Sequence, residues 1–390
     1  MSGNGRQASG NRVGLTLAAL AALAAWGQAR TAQWSIEPQY GLLVGYNSNL
    51  LLTPNDERAS AETFLDLDAT LKYVTERTEL DLHPHIELQR FPNYAALDAN
   101  NGSINGTFTT HQERSSFSLT SGYESISTFT SEPSSTGIIA VNTRREAASA
   151  GLTIGRDFTE RQHVALQGNF EEVTYPGGEP YGLVGYRYPT ATLSDAITLS
   201  PLSTLTAGVT VDELKSPQTD YEAHDQGLRL SFKHTFSSQY SASAAVGGTN
   251  TRVAGVSQHG YVWDLHGTRN SLLTQWDADY SQTLQPSGRG YLVRRDAATL
   301  SVAQNVSTHV YATLTLQYVH NQQVAGGPFL DVPRYFTGDA GFDWHVSEHL
   351  VVTVTGGLVN IEEAGTGELV HGWHATINMR WTPVPRSVSR

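Results

Sequence analysis

The sequence predicts an all-β protein, a transmembrane antiparallel up-and-down β-barrel of about 18 strands (16–18). Three observations predict it. Apolar and polar residues alternate with period two along the chain after an export-type N-terminus. Short polar turns take turns with longer segments rich in Gly, Pro, Asp and Ser. One face of each alternating run is too polar for a dry core.

Composition supports the same class. Of 390 residues, charged ones make up 16% and hydrophobic ones 39%. Both lie below the roughly 25% and ~45–50% of an ordinary soluble domain. Gly (36) and Tyr (17) are abundant, and the filler of Ser, Thr, Gly, Asn and Gln is weak helix-forming material. The chain has no Cys, which excludes a disulfide framework, a Cys-ligated zinc site and a Cys nucleophile. A net charge of -12 is opposite to that of a nucleic-acid partner's usual binder.

Residues 1–32 read as a signal peptide. Arg6 and Arg12 stand before an apolar run from Val13 to Trp26, too short to span a bilayer as a helix. Cleavage is expected after Ala29, with Gly27 and Ala29 as the small residues, or after Ala32. The exported part then holds 22 bases against 37 acids and has no apolar stretch of helix-spanning length.

The strands follow in order. In residues 64–73, Leu65, Leu67, Ala69, Leu71 and Tyr73 share one face, and Phe64, Asp66, Asp68, Thr70 and Lys72 the other. Next, Leu80, Leu82, Ile86 and Leu88 oppose Glu79, Asp81, His83, His85, Glu87 and Gln89. Pro84 falls inside this run and predicts a bulge or a break, because proline has no ladder N–H. Val164, Leu166, Gly168 and Phe170 oppose His163, Gln167, Asn169 and Glu171. Leu228, Leu230 and Phe232 oppose Arg229, Ser231 and Lys233. Leu314, Leu316 and Tyr318 oppose Thr313, Thr315 and Gln317. Trp373, Ala375, Ile377, Met379 and Trp381 oppose His374, Thr376, Asn378 and Arg380. The barrel is thereby assigned to residues 33–382, with 383–390 as a short periplasmic tail.

Short turns fall near residues 75–77, 112–114, 159–161, 201–203, 237–239, 269–271, 307–309 and 347–349. Longer loops fall at 53–60, 92–102, 128–143, 175–183, 216–223, 254–259, 286–290, 324–333 and 363–368. These connections join eighteen strands, and the asymmetry of short turns on one side and long loops on the other is that of an outer-membrane barrel. Trp34, Tyr73, Phe158, Phe236, Tyr240, Trp344 and Trp381 sit near strand ends beside short turns, and Tyr94, Tyr175 and Tyr181 near long loops. Rings at both ends of an apolar band suit two membrane interfaces. A propeller or solenoid also repeats, but its inward face must fill a dry interior. Here that face carries Asp, Glu, His, Lys and Arg, which a hydrated lumen accepts.

The lumen wall is therefore expected to carry Asp66, Asp68, Lys72, Glu79, Asp81, His83, His85, Glu87, Arg229, Lys233, Asp339, Asp343 and Arg380. No nucleophile elbow, phosphate-binding glycine loop or His-Glu-x-x-His motif occurs. No catalytic residue, metal site or cofactor is assigned. His83 and His85, flanked by Asp81 and Glu87, share a strand face and read as wall residues before metal ligands. His371 and His374 point to opposite faces, so they do not chelate together. Asp339, Asp343 and His345 are a triad by residue type only, and a hydrolase would need groups converging across strands.

The stretch Tyr46-Asn47-Ser48-Asn49-Leu50, followed by Thr53-Pro54 and an acidic alternating strand, resembles the first hairpin of outer-membrane β-barrel proteins of the β-barrel porin 2 type. Those accompany exopolysaccharide and biofilm-matrix secretion loci and show Tyr-x-Asp-Asn-Ile/Leu there, where this chain has Ser48 in place of Asp. The motif covers about five residues. A further departure is at the C-terminus: outer-membrane barrels end on an aromatic residue, but Trp381 is followed by Thr382–Arg390. The resemblance implies a pore in the outer membrane of a Gram-negative bacterium that takes part in exopolysaccharide export. The implied partners are membrane lipid and lipopolysaccharide, the outer-membrane assembly machinery and polysaccharide-secretion components, with no nucleic acid. The alternative is a general or solute-selective diffusion porin. Further alternatives are an outer-membrane enzyme and a plugged structural barrel.

Overall fold

A computed structural model describes residues 32–55, 57–132, 142–324, 334–362 and 367–389. The first third of the barrel comprises β1 (Gln33–Asn47), β2 (Ser60–Val74), β3 (Thr78–Arg90), β4 (Ala99–Gln112), β5 (Ser115–Ser127) and β6 (Arg144–Asp157). The second comprises β7 (Gln162–Thr174), β8 (Tyr186–Ser200), β9 (Ser203–Ser216), β10 (Tyr221–Thr235), β11 (Tyr240–Val253) and β12 (Val256–Asn270). The last comprises β13 (Thr274–Pro286), β14 (Leu292–Ser307), β15 (Val310–Gln323), β16 (Arg334–His345), β17 (Leu350–Glu362) and β18 (Leu369–Trp381). Each strand pairs antiparallel with the next, and β18 closes on β1 from Tyr40↔Trp381 to Asn47↔His374. Closure joins the last strand to the first, the condition for crossing hydrocarbon with strands.

The alternation sets the two faces. Leu228 is 64% exposed, and Val246 62%, on an outer surface also lined by Leu230, Leu193, Val209 and Ile377. Large apolar side chains facing outward, with Asp, Glu, His and Thr inward, reverse the pattern of a soluble sandwich and make a band for lipid. Aromatic pairs stitch the closing seam on this outer face. Tyr40 stacks on Trp381 with ring centroids 5.4 Å apart, and Tyr46 lies 5.4 Å from Trp373. Such a pair contributes roughly 0.5–1.5 kcal/mol beyond its burial.

The motif Tyr46–Leu50 also belongs to that seam. Asn49 is 1% exposed; its side-chain amide donates to the carbonyls of Thr53 (3.0 Å) and His371 (3.1 Å). Its Oδ1 accepts from Thr53 N–H at 3.2 Å. Ser48 N–H donates to the Trp373 carbonyl, and Ser48 Oγ accepts from Trp373 N–H, both at 2.9 Å. The residues that carry the resemblance therefore pin the first loop to β18.

Three details differ from the sequence expectation. Pro84 neither bulges nor breaks β3: the pairs Asp68↔His85 and Leu71↔Leu82 keep one register on either side of the interruption. His83 and Pro84 retain Asn105 and Ile104 as partners on β4. The missing N–H costs ladder bonds toward β2 only, and Thr70 Oγ1 and His83 Nδ1 lie 3.1 Å apart across the gap. The long loop expected at 254–259 is a tight turn, with Val253 paired to Val256. Ala254 and Gly255 have φ of 48° and 82°, the two positive values of a type I′ hairpin. The tail, finally, is not simply periplasmic overhang: β19 (Arg386–Ser389) pairs with Gln33–Ile36. β1 extends beyond Trp381 and offers an open edge, which the chain regains after Pro383 and Pro385. The expected signal peptide lies outside the described residues apart from Ala32, and so do most of the loops at 128–143, 324–333 and 363–368.

Candidate functional site

The site is the lumen and its mouth. On β2 and β3 the pairs Asp66↔Glu87, Asp68↔His85 and Lys72↔Asp81 stand side by side. His85 Nδ1 is 2.6 Å from Asp68 Oδ1. Lys72 Nζ lies 3.7 Å from Asp81 and 4.0 Å from Glu79. Glu87 accepts from Gln89 (2.6 Å) and Asn101 (2.8 Å). Arg380 and Asp66 flank Gly41 from either side, so the seam carries one base beside this acidic wall. Arg229 lies 3.7 Å from Asp264, and Lys233 lies between Thr204 and Ser243 in register.

Asp339, Asp343 and His345 do not converge. Asp339 Oδ1 is 2.8 Å from His374 Nε2, reaching across Gly357. Asp343 accepts from Thr353 Oγ1 at 2.7 Å. His345 meets the Tyr311 ring at 5.1 Å. His371 is turned to Asn360 instead, at 2.6 Å, on the opposite face from His374. Glu213, Glu222 and His224 gather near the long-loop rim with geometry a metal could use. Lys215 Nζ already bridges the two glutamates at 2.5 and 3.3 Å, which supplies the positive charge there.

The mouth holds what period-two reading does not reveal. Arg145, on the lumen face of β6, makes ion pairs with Glu124, with Glu171 at 3.0 Å and with Glu132 at 3.8 Å. Glu132 follows a single helical turn (Thr128–Ser131), is 1% exposed, and accepts from Tyr175 Oη at 3.0 Å. Thus the described start of the 128–143 loop turns into the barrel. A cavity of about 380 Å³ lies here, lined by Ile126, Glu132, Arg145, Glu171, Tyr186 and Gln285.

From the other side, the β13–β14 hairpin tip crosses toward the β7–β8 loop. Val184 N–H donates to the Gly288 carbonyl at 2.9 Å, and Arg289 Nη1 donates to the Tyr181 carbonyl at 2.7 Å. By strand phase, Leu284 and Leu292 belong to the outward set, with Tyr280 and Leu300. Yet they pack with Leu214, Tyr221, Ala223 and Val253, which are lumen-facing positions of β9, β10 and β11. The hairpin tip is therefore inside the barrel, its back against the inner wall. Asp225 in that wall is held by Thr251 Oγ1 at 2.5 Å. Each buried Leu or Tyr contributes roughly 1.5–3 kcal/mol to holding the tip there.

Comparison with known proteins decides the fold. No protein-family model matches the sequence, and no curated protein matches it. Among solved structures, OccAB2 of Acinetobacter baumannii superposes with a TM-score of 0.50 at 10% identity, covering 90% of this chain and 98% of the other. The chain has the fold of an outer-membrane porin. OccK9 (OpdG) of Pseudomonas aeruginosa gives 0.48 at 10% identity over 90% and 98% of the two chains. OccK2 (OpdF) of the same organism, solved with glucuronate, gives 0.47 at 10% over 91% and 99%. The porin fold agrees with the outward apolar band: this is an outer-membrane β-barrel.

Proposed function

We propose that the protein is a diffusion pore for small hydrophilic solutes, with preference for cationic and neutral ones. The observation that carries this reading is the mouth, where the β13–β14 tip meets the β7–β8 loop over a mainly acidic lumen wall. A lumen wall of Asp66, Asp68, Glu79, Asp81 and Glu87 accepts water and attracts cations. The inward tip narrows the way above it and so selects by size. Export of an exopolysaccharide rests on the resemblance at Tyr46–Leu50, whose polar groups are spent on loop and seam hydrogen bonds. A polymer strand also meets the hairpin across its path. No relay of nucleophile, histidine and carboxylate forms at Asp339, Asp343 and His345, so a channel accounts for these residues better than an enzyme does.

The test is liposome swelling with purified, refolded protein. Monosaccharides and small amines should enter quickly, and oligosaccharides of increasing length should be progressively excluded. Rapid passage of long polysaccharide, with no size discrimination, contradicts the reading.

A further inference from the structure

The barrel wall is interrupted at one place. β12 and β13 pair from Asn270↔Gln275 up to Trp263↔Gln282 and no further. Above that rung β12 runs on to Val256 paired with β11 alone, and β13 runs on to Pro286 paired with β14 alone. The cause is the inward hairpin: by taking Leu284 and Leu292 to the inner wall, β13 leaves the edge of β12 uncovered. Trp263 lies seven residues above the short-turn end of β12. At the rise and tilt of barrel strands that is about 18 Å, within an apolar band ~25 Å tall. The interruption therefore opens at the level of the outer leaflet.

Arg294 stands in this slot. A Cβ placed on Gly260 would lie 2.5 Å from Arg294 Nη2 and 3.0 Å from Thr249 Oγ1. Gly260 and Thr249 are inward positions of β12 and β11, whereas Arg294 has the outward phase of β14. Such contact exists because the hairpin lies inside, and glycine at 260 leaves room for the guanidinium. Among the described residues Arg294 has no ion-pair partner. The neighbouring Asp296 is engaged, accepting from Gln282 (2.6 Å) and Gln322 (3.0 Å), with His320 at 3.8 Å. At the last rung, the indole N–H of Trp263 is buried without a hydrogen-bond partner. Apolar residues lie on both sides, and those on the outer side are exposed. Tyr261, 76% exposed, and Leu265 face out, and behind them the buried Leu292 and Val253 belong to the inner cluster.

We propose that this slot is a lateral portal, through which an amphipathic solute with an anionic head and a hydrocarbon body passes between the barrel mouth and the outer leaflet. Arg294 meets the head group, and the outward Tyr261 and Leu265 accept the body. The portal depends on the barrel and its inward hairpin, not on axial diffusion through the lumen.

The chain has no cysteine, so Gly260→Cys can be capped selectively with a bulky methanethiosulfonate, which blocks the slot through a reducible disulfide and leaves Arg294 in place. Dodecanoate transfer into proteoliposomes bearing lipopolysaccharide in the outer leaflet is measured with the cap in place and after reduction, and separately for Arg294→Gln. Transfer should fall to the protein-free rate when capped and recover on reduction, and Arg294→Gln should lower it, while KCl conductance persists throughout. Transfer unchanged by the cap or by Arg294→Gln, or never above the protein-free rate, overturns the portal. Conductance is read separately, so a non-conducting barrel that still transfers dodecanoate would defeat the diffusion reading and leave the portal standing.

Discussion

Excising Leu284–Arg294 and joining Thr283 to Arg295 through Asn-Gly should raise single-channel conductance several-fold. Thr283 and Arg295 are ladder partners, so a two-residue type I′ turn closes the shortened hairpin without moving β13 or β14 below it. The excised piece contains Leu284, Leu292, Tyr291 and Arg289, which hold the tip against the inner wall and the β7–β8 loop. Losing them exposes Tyr221, Ala223 and Val253 to lumen water at a cost of a few kcal/mol. The excision also removes the ladder pairs Val293↔Gln323 and Arg294↔Gln322, while the wall below them stays paired. Heat-modifiable migration should therefore persist while conductance and the solute size limit both rise. Unchanged conductance in a correctly assembled variant would mean that the tip does not obstruct the path.

The second large effect separates the two faces of the wall. Leu314→Arg and Leu230→Arg should impair assembly, because both side chains lie on the outer apolar surface, 37% and 48% exposed. A cation near the bilayer midplane costs ~2–4 kcal/mol on the lipid side. Their chain neighbours Thr315 and Ser231 face the lumen, across from Asp339 and between Thr206 and Ala245. Thr315→Arg and Ser231→Arg should assemble normally and shift ion preference. Folding yield by the heat-modifiability of the four variants is the check, and equal yields would contradict the assigned strand phase.

Much of the barrel is legible in the sequence because period two is a direct consequence of strand geometry. Leu65 and Asp66, or Trp381 and Arg380, can only face opposite ways once a strand forms. The eighteen-strand closure follows from counting turns, and the short and long connections name the two rims. The mouth was not legible in the same way. The phase of Leu284 and Leu292 predicts an outward position, and tertiary packing overrides it by carrying the whole hairpin inward. Arg145 has an ordinary inward place in its strand, but its partners Glu132 and Glu171 come from a loop and from the next strand. Direction of loop travel has no local sequence signature, since it depends on which distant surfaces accept the tip. The tail shows the same limit. Residues 383–390 read as a tail, yet the chain resumes pairing because β1 leaves an edge available below the seam.

The central claim, a hydrated pore whose acidic wall governs passage, is tested most directly by reversal potential across a planar bilayer under a KCl gradient at low salt. Low salt matters, because screening shortens the reach of wall charges to about 8–10 Å at physiological strength. The wild-type protein should show stepwise conductance with cation preference. The variant carrying Asp66→Asn, Asp68→Asn, Glu79→Gln, Asp81→Asn and Glu87→Gln should assemble and show a reversal potential moved toward zero. An anion-selective wild type, a quintuple variant with undiminished cation preference, or the absence of any conductance would contradict the account.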